Sequence, residues 1–492
     1  MTDDGSTEAL FRRANQLLAA GNIPDAILAH ERLLARRPDL ADSWYNLGYL
    51  HRCARRFEDA LAAYGEALDR GVAQPEEVRL NRAAILSDHL QRGEAALAEL
   101  EEALRVDPGF LPAWLNLGTL HEDWGDPARA RDAYRRALAI DPSNARALAR
   151  LTTIDLFRGE AASAVDRLAA ALRALGRPAE DRAELGFALG AALDVAGRYD
   201  EAFAAFARAN ADARATAPRY HRAGHQALVD ALVALPPVHA PADRAADLPA
   251  DAPRPIFVCG MFRSGSTLAE QVLARHPRVT AGGELDAIPA MVRDRLRPYP
   301  QALAAAPPAL LRTLRDGYLG ELRALFPGAD LVTDKRVDNV LHIGLIKALF
   351  PAARIVHTFR NPLDNILSVY FLHFGTAVPY GFDLDDIVHW YGQYRRLIAH
   401  WRRLYPGDIV DFSYDGFVAD PEPTLRRALD ACGLDWDPRC LDPGDARAAV
   451  RTASAWQVRQ PLHTRSSGRW RRYERHLDAV RAALDRIDQS RG

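Results

Sequence analysis

The sequence predicts a multidomain chain: an all-α helical-repeat solenoid followed by an α/β domain with a mostly parallel sheet. Three observations predict it. From about residue 6 to about residue 215 the chain is rich in Ala, Leu and Arg, with apolar residues at helical spacing and almost no strand signal. Inside that stretch Trp44-Tyr45-Asn46-Leu47-Gly48 recurs as Trp114-Leu115-Asn116-Leu117-Gly118. From Pro255 onward, hydrophobic strand patterns alternate with helical ones. The 492 residues suffice for two or three full cores. The expected boundaries are 1–215 for the solenoid, 216–252 for a linker and 253–492 for the α/β domain.

The repeats come first. A weaker copy of the Trp-containing motif stands at Leu80-Asn81-Arg82-Ala83-Ala84, and Asp107-Pro108 and Asp141-Pro142 lie one period apart. That interval is close to the ~34-residue period of tetratricopeptide-type helix pairs. Gly125-Asp126 and Gly197-Arg198-Tyr199-Asp200-Glu201-Ala202 mark further turns between paired helices, and roughly five or six units account for the stretch. Aromatic positions in such an array read as packing, small Ala and Gly positions as places where helices approach closely, and the concave face as a docking surface for a peptide or protein. The run Leu235-Pro236-Pro237-Val238-His239-Ala240-Pro241-Ala242-Asp243-Arg244, continuing to Pro255, resists helix and strand and reads as a semi-extended linker or strap.

Pro255-Ile256-Phe257-Val258-Cys259-Gly260-Met261-Phe262-Arg263-Ser264-Gly265-Ser266-Thr267-Leu268 reads as a buried strand, a glycine turn and the first turn of a helix. Glycines let such a backbone curl so that successive N–H groups, and the positive end of the helix, aim at one phosphate or sulfate. The spacing fits the nucleotide-triphosphate loop GxxxxGK[ST] except that Ser266 stands where the lysine would be. A loop without that lysine is poorly built for γ-phosphoryl transfer, while Arg263 offers a planar cation to an oxyanion. Downstream, Glu284 follows Gly282-Gly283, and Leu331-Val332-Thr333-Asp334-Lys335-Arg336 is a short strand delivering Lys335 to its carboxyl end, where ligands collect in open α/β sheets. Phe350 to Pro362 holds a second strand ending at Arg360, with Ser368 eight residues later. Ile409 to Phe417 is a strand with Tyr414 in the following turn, and Arg459 to Tyr473 packs basic, hydroxyl and aromatic residues together. Taken singly, each has an ordinary reading: a tight turn, a solvated loop or strand-end charge, a helix-surface hydroxyl, a buried structural tyrosine. Their order and spacing together say more than any one of them.

That order resembles the sulfotransferases. Phe262-Arg263-Ser264-Gly265-Ser266-Thr267-Leu268 is similar to their 5′-phosphosulfate-binding motif, which grips the donor substrate 3′-phosphoadenosine 5′-phosphosulfate (PAPS). The resemblance implies that Arg263, Ser264, Gly265, Ser266 and Thr267 bind the donor, and that Arg360 and Ser368 clamp its 3′-phosphate. Gly283-Glu284 is similar to the Gly-Glu segment of the tyrosylprotein sulfotransferases, which implies that Glu284 is the catalytic base. Lys335 matches the lysine that neutralises the bridging oxygen of the leaving nucleotide, and with Arg263 it would stabilise the transition state. Tyr414 is implied to touch the donor, and Arg465, Ser466, Ser467 and Gly468 to close over its 3′-phosphate. No enzyme nucleophile and no metal is required.

The formal net charge of −2, with no other basic patch as dense as the C-terminal one, sets the chain apart from nucleic-acid binders. Four cysteines without a CxxC pair read as buried or incidental thiols. No signal sequence opens the chain and no apolar run is long enough to cross a membrane, so a reducing cytoplasm is expected, unlike the anchored Golgi tyrosylprotein sulfotransferases. The expected activity is transfer of a sulfuryl group from PAPS to a hydroxyl acceptor. Gly283-Glu284 favours a protein or peptide tyrosine, with carbohydrate, lipid and small-molecule acceptors open, and the solenoid suits an extended chain, a recruited partner or a homodimer. Two alternatives stand beside it: a P-loop kinase using ATP and magnesium, and a non-catalytic scaffold with a degenerate nucleotide site.

Overall fold

The structure is a computed structural model that describes residues 7–236, 252–441 and 466–489. It divides into two compact units, Met1–Ala147 and Leu148–Gly492. Thirteen helices are described from Thr7 to Val233, the first at Thr7–Ala19 and the last at Arg222–Val233.

In the first unit the recurring motif has a mechanical reason. A Cβ on Gly48 would lie 2.6 Å from the Tyr64 ring, and one on Gly118 would lie 2.5 Å from the Tyr134 ring. Both tyrosines are fully buried, so the glycine is the place where one helix lets the next helix's ring sit against its backbone. The tryptophans are fixed alike: Trp44 donates from its indole nitrogen to the Pro38 carbonyl and Trp114 to that of Pro108, each at 3.0 Å.

The second unit opens with helices of the same kind. Ala179–Val195 and Tyr199–Thr216 approach closely enough that a Cβ on Gly190 would meet Phe206 at 2.7 Å. The interval 216–252, expected as a linker, contains the helix Arg222–Val233. Leu228, Val229 and Leu232 give this stretch an apolar face, and Val229 and Leu232 are buried. His225 stacks on Trp390 of the helix Leu384–Leu404, with ring centroids 5.9 Å apart. Most of the proline-rich run expected to be extended lies outside the described residues.

The α/β part is built on five parallel strands: β1 (Arg254–Gly260), β2 (Val279–Thr280), β3 (Leu331–Lys335), β4 (Ile355–Phe359) and β5 (Ile409–Ser413), in the order β2-β3-β1-β4-β5. β1 is central and its last five residues are all buried, as expected for a strand covered on both faces. Ile256 and Val258 face a core shared with the helix Ser266–Leu273 and with Leu425, Ala428 and Leu429. Phe257 points the other way, onto Tyr318 and Phe350, following the alternation of a strand. Lys335 is level with Val258 and Thr358 with Gly260, so the carboxyl ends of three adjacent strands open at one place. Among the described residues no helix is long and apolar enough to cross a membrane.

A candidate anion site at the carboxyl ends of the strands

The loop after β1 is drawn tight by its neighbours. Gly260 ends the strand where a Cβ would lie 2.4 Å from the Thr358 carbonyl oxygen, a contact that backbone cannot relieve. Arg263 adopts a left-handed φ of 68°, rare for a side chain with a Cβ. Gly265 has φ 99° and lies so near Tyr414 that a Cβ would come within 2.7 Å of the ring. The helix Ser266–Leu273 then begins, with Ser266 and Thr267 buried in its first turn. Its amino end faces back into the curl, where its N–H groups favour an anion.

β4 and the helix after it complete this half. The Arg263 Nε donates to Ser368 Oγ at 3.1 Å, and Asn365 Nδ2 holds the Phe262 carbonyl at 2.7 Å. Asn361 caps that helix, Pro362–Tyr370, accepting from the N–H groups of Leu363 and Asp364. Arg360 lays its guanidinium over the Tyr414 ring at 4.6 Å and donates to the Ser466 carbonyl. Its Nε is buried with no partner among the described residues, which fits an anionic group that would accept from it. Burial first, and then the charges of Arg360 and Arg469, bring the Arg263 guanidinium down to about 10. An anionic ligand would relieve the repulsion between these neighbouring cations.

The other half lies on the β3 side. Lys335, only 1% exposed, donates from Nζ to Glu284 Oε1 at 2.6 Å, while the Glu284 side chain remains half exposed. Glu284 is presented by a glycine turn. Gly283 has φ 70° and its carbonyl accepts from the Lys335 N–H at 2.8 Å; a Cβ on Gly282 would lie 2.1 Å from the Thr333 carbonyl oxygen. Beneath the turn stands a residue that the sequence reading missed. Glu270 of the loop helix, 3% exposed, accepts from the Gly283 N–H at 2.9 Å and from Thr333 Oγ1 at 2.7 Å, and Thr333 Oγ1 in turn accepts from the Gly282 N–H at 3.0 Å. Burial pushes the Glu270 carboxyl up; the Lys335 charge and these hydrogen bonds oppose it. A glutamate between Ala269 and Val272 on a buried helix face is the one signal the sequence offers for it.

The remaining expected residues divide. Ser264 is fully buried and its Oγ faces Thr358 Oγ1 at 2.7 Å, tying the loop to β4 rather than facing the opening. Ser467 Oγ donates to Asp415, whose other oxygen accepts from the Asn361 N–H at 2.6 Å. Gly468, at φ 74°, and Trp470 donate their N–H groups to the two oxygens of Asp364, at 2.6 and 2.8 Å. Arg465 lies outside the described residues. Thus Arg263 with Ser368, Arg360 with Tyr414 and Ser466, and Glu284 with Lys335 are each brought together, and Asp364, Asp415, Arg469 and Glu270 join them unforeseen.

Residues 255–438 match the family model described as sulfotransferase family, and residues 11–77 and 88–145 match tetratricopeptide repeats. An uncharacterized protein of Aquifex aeolicus is 30% identical over 409 residues, covering 79% of this chain and 52% of that protein. Protein FlbA of Caulobacter vibrioides is 30% identical over 205 residues, covering 42% and 34% respectively. The chain therefore spans about half of the first relative's length and about a third of the second's. Among solved structures, the crystal structure of MamA is 19% identical with a TM-score of 0.31, covering 34% of this chain and 90% of that one. The crystal structure of YrrB, a TPR protein with an unusual peptide-binding site, is 17% identical with a TM-score of 0.30, covering 35% and 87%. Behind an array of tetratricopeptide repeats, this chain carries a domain of the sulfotransferase family.

Proposed function

We propose that the chain transfers a sulfuryl group from PAPS to a hydroxyl acceptor. The observation that carries this reading is the bond from Arg263 to Ser368, with Arg360 beside it presenting a buried Nε that has no partner among the described residues. Arg263 and Arg360 lie near enough for the charge of one to act on the other, beside the amino end of the loop helix, and Ser266 occupies the position of an ATP-type loop's lysine. A nucleotide carrying a 5′-phosphosulfate and a 3′-phosphate meets both requirements. Arg263 and the loop hold the phosphosulfate; Arg360, Ser368 and the strap at 466–468 hold the 3′-phosphate; Tyr414 lies between them.

The acceptor oxygen attacks sulfur as the bond from sulfur to the bridging phosphate oxygen breaks. Its proton passes to Glu284, which is exposed enough to meet an acceptor. Lys335 supplies positive charge against the oxygen that departs. Adenosine 3′,5′-bisphosphate and the sulfated acceptor are the products. The preferred acceptor is a protein or peptide tyrosine, whose phenol gives up its proton more readily than an aliphatic alcohol, and an extended peptide suits a repeat array.

Calorimetric titration with adenosine 3′,5′-bisphosphate, and in parallel with ATP and magnesium, tests the donor assignment. Tight binding of the bisphosphate and not of ATP is expected. Preference for ATP would overturn the reading in favour of phosphoryl transfer, and binding of neither would leave a scaffold. Labelled PAPS offered with a tyrosine-containing peptide, a sugar and a simple phenol then decides the acceptor class.

A further inference from the structure

The segment 371–374, which follows the helix Pro362–Tyr370, touches the repeat-type helices on one side and the anion loop on the other. Its beginning is anchored twice by the helix Tyr199–Thr216. Asn210 Nδ2 donates to the Tyr370 carbonyl at 2.9 Å, and the Phe206 ring stacks on Phe371 with centroids 4.0 Å apart. Its end is held by the helix Ala179–Val195. His373 lies flat on Phe187, centroids 5.0 Å and planes 9° apart, and its Nδ1 donates to Glu184 Oε2 at 2.8 Å. A stack and a charge-assisted bond together leave that imidazole one orientation. The next residue, Phe374, turns the other way and meets the Phe262 ring edge to face at 5.3 Å.

Phe262 immediately precedes Arg263, the residue held at φ 68°. Such a conformation persists only where the surroundings over-determine it. The Phe262 carbonyl shares one rigid peptide plane with the Arg263 nitrogen, and Asn365 fixes that carbonyl while Phe374 fixes the Phe262 ring. We propose that His373 and Phe374 are positioning residues for Arg263, and that Glu184 and Phe187, from the helical-repeat part of the chain, hold them in place. The route is short: repeat-type helix to His373, Phe374 to Phe262, Phe262 to Arg263. The repeat-type helices thereby set the conformation of the anion loop through one intervening segment. The inference rests on the donor reading proposed above.

The test uses the full chain, adenosine 3′,5′-bisphosphate and labelled PAPS. Phe374→Ala removes the ring from Phe262, and Glu184→Ala releases His373, whereas Glu184→Gln keeps an oxygen that accepts from the same nitrogen. Arg214→Gln is the control: it breaks another tie of the repeat-type helices, at 2.7 Å to Asp383, the cap of the helix Leu384–Leu404. Phe374→Ala is expected to weaken bisphosphate binding about five- to tenfold and to raise KM for PAPS with KM for the acceptor unchanged. Glu184→Ala should weaken binding about three- to fivefold, and Glu184→Gln should bring it back to within about twofold of the wild type. The double variant of Glu184→Ala and Phe374→Ala should lose no more than Phe374→Ala alone, as residues on one route do. Arg214→Gln should bind as the wild type does. Equal losses in Glu184→Ala and Arg214→Gln would reduce the effect to general loosening of the repeat-type helices, additive losses in the double variant would separate the two residues, and a rise in the acceptor's KM alone would put the aromatic pair on the acceptor's side; any of these overturns the proposal. Should Phe374→Ala fail to fold, the two Glu184 variants and the control decide. A wild-type chain that binds no bisphosphate overturns the donor reading itself, and this inference falls with it.

Discussion

Glu284 is the residue at which binding and chemistry can be separated. Its side chain is half exposed and its one described side-chain partner is Lys335, so truncation disturbs little else. Glu284→Ala is expected to lower transfer from labelled PAPS by about 10²- to 10⁴-fold, as loss of a general base does, while calorimetry finds bisphosphate affinity within about threefold of wild type. Unchanged transfer would remove Glu284 from the chemistry. Glu270 acts one layer further back. Glu270→Ala leaves the N–H of Gly283 and the hydroxyl of Thr333 without their buried acceptor, at a cost of about 1–3 kcal/mol. It should lower both the unfolding midpoint and kcat; Glu270→Gln, which still accepts from the same donors, should preserve kcat to within about threefold. Loop, glycine pair and lysine were legible in the sequence because each sits at a fixed offset from a strand end. Glu270, Asp364 and Glu184 were not, because each is a carboxylate whose partner is distant in the chain. Asp364 reads as an ordinary acidic residue in a helix's first turn until Gly468 and Trp470 are seen to close on it.

At the scale of elements, β3 carries a titrating group through its interior. Asp334 is fully buried, accepts from the Tyr318 hydroxyl at 2.9 Å and from Asn339 Nδ2 at 3.1 Å, and burial pushes its carboxyl from 3.8 up to about 7. The native state therefore keeps a proton that the unfolded chain releases between these values. Its contribution to stability is complete below about pH 4 and is lost as pH rises through about 7, amounting to a few kcal/mol at most. Thermal unfolding should show the midpoint falling across that window, and Asp334→Asn should flatten the fall, leaving the variant more stable than wild type at pH 8. Equal pH profiles for the two chains would mean that Asp334 ionises in place without penalty. Among the repeats, Gly48→Ala sets a methyl against the buried Tyr64 ring at 2.6 Å and should lower the unfolding midpoint, at roughly the 1–3 kcal/mol of an overpacked core. The repeat was easy to read because its period writes the same glycine and tryptophan twice. The helix Arg222–Val233 was not, because its apolar face is short and a proline-rich run follows it closely.

At the scale of the molecule, every described contact that shapes the anion site comes from the unit Leu148–Gly492. A fragment beginning at residue 148 should bind adenosine 3′,5′-bisphosphate within about threefold of the full chain, whereas one beginning at residue 253 loses Glu184, Phe187 and Asn210 and should bind about tenfold more weakly. Calorimetry on the two fragments checks this, with circular dichroism to establish that each is folded.

β1 also partitions the site along the sequence. On its β3 side Glu284 and Lys335 come from residues between β2 and the end of β3, and on its β4 side Arg360, Ser368 and Tyr414 come after residue 354, while the loop and helix that follow β1 send Arg263 to the β4 side and Glu270 to the β3 side. On the proposed reading, the residue that takes the acceptor's proton and those that clamp the donor's 3′-phosphate thereby come from separate stretches of the chain, joined through the β1 loop and its helix. On that reading, exchanging residues 281–330 is expected to change which hydroxyl acceptor is sulfated from labelled PAPS while calorimetry finds affinity for adenosine 3′,5′-bisphosphate as in the wild type.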